Sequence, residues 1–448
     1  MPNVNPFFLY LLVFSACAVL TLAHTDIISS DLRARARQAL LLERPNGGAD
    51  SCEAVKEPAA CPPSKFRSPT GECNNVNHRD WGARGDILMR MVNPDYSDDR
   101  SKPRTSVGSH ALPSPDHIIQ KLQKSINKDA THPHVTAMLP AWGQLLAYDL
   151  IQIVTPHSTN KCCNNNSRNN NEELVQCYVR GGEDCKEYMR SIPSHEINNC
   201  KFEHREQMNG ASGFIDGSGL YGSTEKEFKA LRTFNGGQVE IKSCIRCIEA
   251  GAIGALHVTL LQEHNRIESE LLKLNPEWTD PTLFLEAKRV VTAEIQHITF
   301  NEFLPIVLGQ QVVTKEELRL VSGRHYSGYS STNRAGIFNE AAISAFPAFY
   351  SMLPADMMND SVSAEILIST PALQQTFIPV HETFNDEWTP LALAIQRGRD
   401  HGIPAYHKAL NLCEARLGLA KDTQMTYEDI ESVGVSQERR DVLENIYM

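Results

Sequence analysis

The chain lacks an excess of basic charge. Its formal net charge is −11, and acidic proteins are poor partners for nucleic acid or an anionic membrane. It also lacks blocks of like charge, so the acidity is spread over a solvated surface. Apart from one run near the amino terminus it has no long apolar stretch, which leaves no further candidate for a membrane span. Period-two alternation is scarce and no internal repeat is present, so strands are expected to be few. What is present is bulk: 448 residues at 41% hydrophobic content, enough core for one large or two ordinary domains. Helical spacing recurs instead of alternation. Leu256, Leu260, Leu261 and His264 share one helical face, and Phe284, Ala287, Val290, Val291, Ile295 and Ile298 make another stripe. The expected class is mostly α, with little β and loops tied by disulfides.

The apolar run is Phe7 to Ala23, uncharged and ending Thr-Leu-Ala before His24. It has the length of a signal-peptide core with its cleavage region and is short for a spanning helix, which predicts a signal peptide over 1–23 and a secreted, extracellular chain. No basic segment precedes it, so a signal anchor is the alternative. Of the 12 cysteines, Cys17 falls in this run. The others are Cys52, Cys61, Cys73, Cys162, Cys163, Cys177, Cys185, Cys200, Cys244, Cys247 and Cys413, an odd number, mostly in polar loop-like stretches as extracellular disulfides are. Asn165 and Asn359 open glycosylation sequons. Residues 24–60 read as a pre-domain segment, with a short helix over Asp31–Leu42 broken at Pro45-Asn46-Gly47-Gly48. A domain over 61–448 opens with the turn-rich loop Cys61–Cys73, expected to close by a disulfide. The Asn-rich excursion between Cys162 and Cys200 reads as a surface loop held by disulfides through Cys163, Cys177, Cys185 and Cys200.

Seven segments carry a specific resemblance. They are Cys61–Asn75, Trp142–Asp149, Arg205–Asn209, Ser212–Ser218, Leu220–Ser223, Glu263–Arg266 and Arg397–Gly402 (Arg-Gly-Arg-Asp-His-Gly). In this order they resemble the animal haem peroxidases, and the nearer likeness is to the invertebrate secreted type. The resemblance implies a helical fold, haem, calcium and a peroxidase ancestry from residue 61 onward. The family continues for a further helical portion, so the expectation is that this C-terminal part, with the partner of Cys413, is absent here.

Ser212, the Phe214 carbonyl, Asp216 and Ser218 alternate along the chain, and an extended loop would point them the same way. Hydroxyl, carbonyl and carboxylate oxygens are hard donors suited to Ca²⁺. The resemblance makes these positions calcium ligands, with Asp149 of the Trp142–Asp149 segment as a second carboxylate. A capped polar loop is the plainer alternative.

The haem residues have changed. Peroxide cleavage needs a base, a cation near the developing charge and an electron-rich iron. The family's distal helix runs Trp-Gly-Gln-Phe-Leu-Asp-His-Asp. This chain keeps Gln144 and Asp149, but Ala147 stands at the haem-ester Asp and Tyr148 at the base His. Tyrosine titrates near ~10 rather than ~6.5, so its basic form at neutral pH is about a thousandfold scarcer. Arg246 and Glu249 match the distal arginine and the second ester in spacing. On the proximal side Phe346 stands at the iron ligand, Ile343 at a propionate arginine and Ala394 at the asparagine that orients the ligand, while Arg397 remains. Phenylalanine has no lone pair to give a metal.

Cys244 and Cys247 bracket Arg246 outside the family pattern, as halves of two disulfides, a vicinal loop or a redox pair; no second pair completes a zinc site. Arg84-Gly85-Asp86 is an integrin-type tripeptide, against which stands a plain solvated turn. His257 reads as a satisfied interior histidine and Glu263–Arg266 as a buried polar network. The expectation is a secreted, disulfide-bonded, calcium-binding peroxidase-like protein that has lost ordinary haem ligation. Its role would be structural or binding, in an extracellular matrix or toward another protein chain. An active peroxidase using Arg246, Gln144, Glu249, Arg397 and Tyr148 is the competing expectation, and an incomplete product of a peroxidase gene is a third.

Overall fold

The structure is a computed structural model that describes residues 61–106, 112–125, 135–155, 175–179, 185–194, 204–248, 252–321, 323, 328–352 and 390–416. Residues 1–60, Glu249, Cys163, Cys200, Asn165 and Asn359 lie outside the described residues, as do the side chains of Cys177, Cys185 and Cys413.

The architecture is mostly helical. In chain order come α1 (Pro115–Ser125), α2 (Met138–Leu150), a two-stranded ribbon of β1 (Val175–Val179) and β2 (Cys185–Met189), α3 (Ser218–Tyr221), α4 (Glu225–Ala230), α5 (Ala252–Leu274), α6 (Asp280–Ile298), α7 (Leu304–Leu308), α8 (Gln310–Lys315), α9 (Pro390–Asp400) and α10 (Tyr406–Arg416). The ribbon is antiparallel, with Val175 opposite Met189 and Val179 opposite Cys185. No helix among the described residues is long and apolar enough to cross a membrane.

Local chemistry accounts for the helix ends. Thr224 caps α4 by accepting from the Glu227 amide at 3.1 Å, and Glu227 reaches back to the Ser223 amide at 3.0 Å, a reciprocal capping box. Proline opens α6 and α7, where its missing N–H costs nothing. Between those two helices, Thr299–Phe303 forms a π turn. It lets Thr299 bond back to the Ile295 carbonyl while accepting from the Trp142 indole at 3.1 Å. That bond ties α6 to α2.

The helix α2 is apolar nearly all round and sits inside the molecule, as such helices must. It packs on α3, α5 and the 3₁₀ segment Phe346–Met352. The long pair α5 and α6 supplies the rest of the core. Phe284 is fully buried and meets Phe228 edge-on at 5.0 Å and Tyr221 at 6.0 Å. Leu260, Leu261 and His264 are buried as their spacing predicts, and so are Phe284, Ala287, Val291 and Ile295. Val290 breaks from its expected stripe and is exposed, because it falls a full residue off the buried face of α6. The disulfide expected between Cys61 and Cys73 is present.

Candidate functional site

The calcium positions converge. Asp149, at the last turn of α2, is buried beside the loop that leads into α3. Its Oδ1 accepts from the Gly219 amide at 2.8 Å and the Ser218 hydroxyl at 3.3 Å. Asp216 accepts from the Ser212 hydroxyl at 2.8 Å and the Ser218 amide at 3.0 Å. Ser218 Oγ also donates to the Asp149 carbonyl at 2.7 Å. The loop bends tightly instead of alternating as an extended strand, and Ser218 already belongs to α3. Gly217 makes the bend possible with φ +76°, a conformation side chains resist. Gly219 is needed for a different reason: a Cβ there would lie 2.8 Å from the Asp149 nitrogen.

Two carboxylates therefore share one buried loop. Burial, and then the field of Asp216, pushes the Asp149 carboxyl up to about 7. No cluster of three or more His, Cys, Asp or Glu side chains gathers as a metal site among the described residues. A cation here would draw on two carboxylates with hydroxyl and carbonyl oxygens, a donor set that fits calcium and suits neither zinc nor copper.

Sequence reading missed the other wall of this loop. Lys288, Thr292 and Gln296 recur every four residues on α6 and face it. Lys288 Nζ donates to the Asp216 carbonyl at 2.8 Å, Thr292 Oγ1 to the same oxygen at 3.2 Å, and Gln296 Nε2 to the Ile215 carbonyl at 2.7 Å. The signal was available as a polar stripe beside the apolar one.

The face that holds haem in the family is filled differently. At Gly143 a Cβ would lie 2.6 Å from ring carbons of Phe349, so α2 and the 346–352 segment are in direct contact there. Phe346 is half-buried beside Phe349, ring centroids 6.4 Å apart, and Phe349 also meets Phe303 at 5.6 Å. Ile343 is buried in an apolar cluster with Leu88, Ala342 and Ile403. On the distal side the Arg246 guanidinium lies 4.2 Å from the centroid of the Tyr148 ring, a cation–π stack. Cys244 and Cys247 are joined to each other and buried on either side of Arg246. That excludes halves of two separate disulfides, and leaves a closed loop or a redox pair.

Gln144 is fully buried, and neither of its amide atoms has a hydrogen-bond partner among the described residues. His257 is only half satisfied: Nδ1 bonds the Ile253 carbonyl at 2.8 Å, while Nε2 has no partner among the described residues. Burial holds its pKa down at about 4, so the ring is neutral. At the position that the resemblance gives to the iron ligand stands the benzene ring of Phe346, and Ala147 has no oxygen to esterify a porphyrin.

The remaining candidates resolve as structure. His401 Nδ1 donates to Asn339 Oδ1 at 2.8 Å, because the Asn339 amide nitrogen is committed to Gln207. Its Nε2 then accepts from the Ser191 hydroxyl at 2.6 Å. A Ser–His–Asn chain resembles a nucleophile relay, but all three residues are buried and the imidazole is held down at about 3. Asp400 pairs with Arg190 at 2.5 Å and accepts from the Ser191 amide at 3.0 Å. The Arg397–Gly402 motif is thus a packing keystone, and Arg397 itself is half-buried. In Arg84-Gly85-Asp86, Asp86 is bound to Arg334 at 2.6 Å and to the amides of Gly82 and Ile87, so the carboxylate is not presented to a partner. The expected network at Glu263–Arg266 is half right. His264 bonds Tyr221 and Gly237, and Asn265 brackets Val239, whereas Glu263 and Arg266 pair on the surface.

Comparison with known proteins bears on the fold and the family. The peroxidasin homolog of Homo sapiens is 28% identical over 86% of this chain, which spans 32% of that protein's length. The chorion peroxidase of Drosophila melanogaster is 28% identical over 63% of the chain and 41% of its own length. The chain thus spans well under half of these relatives. Peroxidase A of Dictyostelium discoideum superposes with a TM-score of 0.60 at 20% identity, covering 86% of this chain and 84% of that one. A fatty acid alpha-dioxygenase of Oryza sativa superposes at 0.58 with 14% identity, covering 85% and 72%. Both likenesses concern the fold. The sequence pattern described as animal haem peroxidase matches residues 66–246 and 245–391, and the chain belongs to that family.

Proposed function

We propose that this chain is a secreted pseudoperoxidase, a calcium-binding member of its family with a structural or binding role in an extracellular matrix. The observation that carries the reading is Phe346 at the iron-ligand position, packed against Phe349, which itself fills the space over Gly143. A porphyrin lying between α2 and the 346–352 segment at that point would need two van der Waals separations, roughly 7 Å. Loss of the distal base at Tyr148 and of the ester at Ala147 points the same way. The calcium loop, by contrast, keeps its whole donor set, and pinning α2 to α3 is a structural task that outlives catalysis. The disulfides Cys61–Cys73 and Cys244–Cys247 fit an oxidising compartment, in keeping with a signal peptide over 1–23.

A second reading, an active haem peroxidase, draws on Gln144. Its buried, unpartnered amide leaves a polar demand that a bound water or ligand would meet. Arg246 would have to leave the Tyr148 ring to serve it. The test is an absorption spectrum of the protein purified from medium of secreting cells grown with added haem. The pseudoenzyme reading expects no Soret band and no hydrogen-peroxide-dependent oxidation of a phenolic donor. Stoichiometric haem with turnover of that donor would overturn it.

A further inference from the structure

Beyond the positions already described, the molecule has a surface cleft between α5 and α6, the buried Ser191–His401–Asn339 chain, the half-satisfied His257 and the wall of the calcium loop. Only the last joins a charged group to a ligand of known chemistry.

We propose that Lys288 is a cation built into the calcium loop, an affinity-determining residue whose ammonium group shares the field of Asp149 and Asp216 with the metal. Three observations carry this. The Lys288 amino group lies 2.8 Å from the Asp216 carbonyl oxygen, on the very residue whose carboxylate serves the site. Ser218 then links the two carboxylates, its amide donating to Asp216 at 3.0 Å and its hydroxyl to Asp149 at 3.3 Å. The Lys288 stem is held in place, with the ammonium 5.3 Å from the centroid of the buried Tyr221 ring. Thr292 and Gln296 already fasten the same stretch of backbone, so the loop's shape does not depend on Lys288 alone.

The consequence is electrostatic. With metal absent, Lys288 offsets part of the repulsion between two carboxylates that share a buried loop, which keeps the loop closed. With calcium present, the same positive charge opposes the ion. Affinity is then lower than two carboxylates alone would give, in the range of extracellular modules, about 10⁻⁴–10⁻³ M, rather than that of cytosolic buffers. This rests on the calcium reading above and adds to it the residue that sets the strength.

The experiment is calorimetric titration of the full chain with calcium chloride after chelation, comparing wild type, Lys288→Gln and Lys288→Arg. Glutamine keeps an N–H donor for the Asp216 carbonyl and removes the charge; arginine keeps the charge. Removing one positive charge beside a divalent ion, at water-like screening, tightens binding on the order of tenfold. The expected result is that Lys288→Gln binds calcium about tenfold tighter, that Lys288→Arg stays near wild type, and that Lys288→Gln loses more thermal stability in chelator than in calcium. A merely structural lysine would give weaker binding in Lys288→Gln, and unchanged or weaker binding overturns the proposal while leaving calcium binding intact. If only Lys288→Gln binds, the wild-type loop holds an ammonium group in place of a metal, and the proposal falls with the calcium reading. If no form binds, both fall.

Discussion

Gly143→Ala is the sharpest probe of how α2 and the 346–352 segment meet. In an exposed helix this change stabilises by about 1 kcal/mol, since alanine is the better helix former. Here the new methyl would lie 2.6–2.8 Å from three ring carbons of Phe349, far inside the 3.5–4.0 Å of a normal carbon contact. Phe349 is buried and flanked by Phe303 and Phe346, so its ring has little room to retreat. Overpacking of this kind costs about 1–3 kcal/mol, and the net expectation is a loss of about 0–2 kcal/mol. Phe349→Ala alone empties the site and costs about 3–5 kcal/mol. In the Phe349→Ala background the methyl at 143 has space, the helix gain returns, and the double variant is more stable than Phe349→Ala by about 1 kcal/mol. The coupling between the two sites is therefore on the order of 1–3 kcal/mol. Guanidinium unfolding followed by circular dichroism, and by the fluorescence of neighbouring Trp142, measures all four corners of the cycle. If Gly143→Ala stabilises the wild-type chain, or has the same effect in both backgrounds, then Phe349 does not rest on α2, and the space between these segments is free for a planar ligand.

Other expectations follow from the buried polar groups. His257 and His264 are held at about 4 and His401 at about 3, mainly by burial, while unfolded imidazole titrates near ~6.5. Their contribution to stability is thus complete above about pH 6.5 and is lost as pH falls toward 4 and 3. Asp149 runs the other way: with its carboxyl raised to about 7, its contribution is present below about pH 4 and lost as pH rises through 7. In chelator, the denaturation midpoint should fall on both sides of a weakly acidic optimum, and calcium should abolish the alkaline decline; a midpoint that climbs steadily to pH 8.5 in chelator contradicts this. Ser191→Ala leaves the His401 Nε2 acceptor buried and unpaired, a cost of about 1–3 kcal/mol readable by urea unfolding; a neutral result would mean the hydroxyl is not its donor. Cys247→Ser opens a loop of sequence separation 3, which chain entropy values at roughly 2 kcal/mol. It should also loosen Arg246 from Tyr148, seen as a change in tyrosine near-ultraviolet dichroism that reducing agent reproduces in the wild type.

Much of this protein was legible along the chain. The apolar spacing of α5 and α6 is a local signal. Short-range sterics and hydrogen bonds enforce it whatever the rest of the chain does. Cys61–Cys73 was legible for the same reason, as a short turn-rich loop closed on itself. The gathering of Asp149 with Ser212, Asp216 and Ser218 was reached only through resemblance, since spacing alone allowed a capped polar loop equally well. Even then the expected geometry was wrong, because Gly217 bends the loop and α3 begins inside it.

Sequence by itself determined the helical class, the family motifs and the chemistry missing from them: no lone pair at Phe346, no carboxylate at Ala147, no imidazole at Tyr148. Tertiary structure decided what took the place of that chemistry. Phe349 reaches Gly143, Arg246 lies on Tyr148, Arg334 covers Asp86, and Lys288 stands behind Asp216. Most of these pairs join residues far apart in the chain, and all depend on how helices and loops are set against one another. No periodicity reports that relation; it follows from burying several apolar faces at once, with each buried polar group taking the partner that packing leaves within reach.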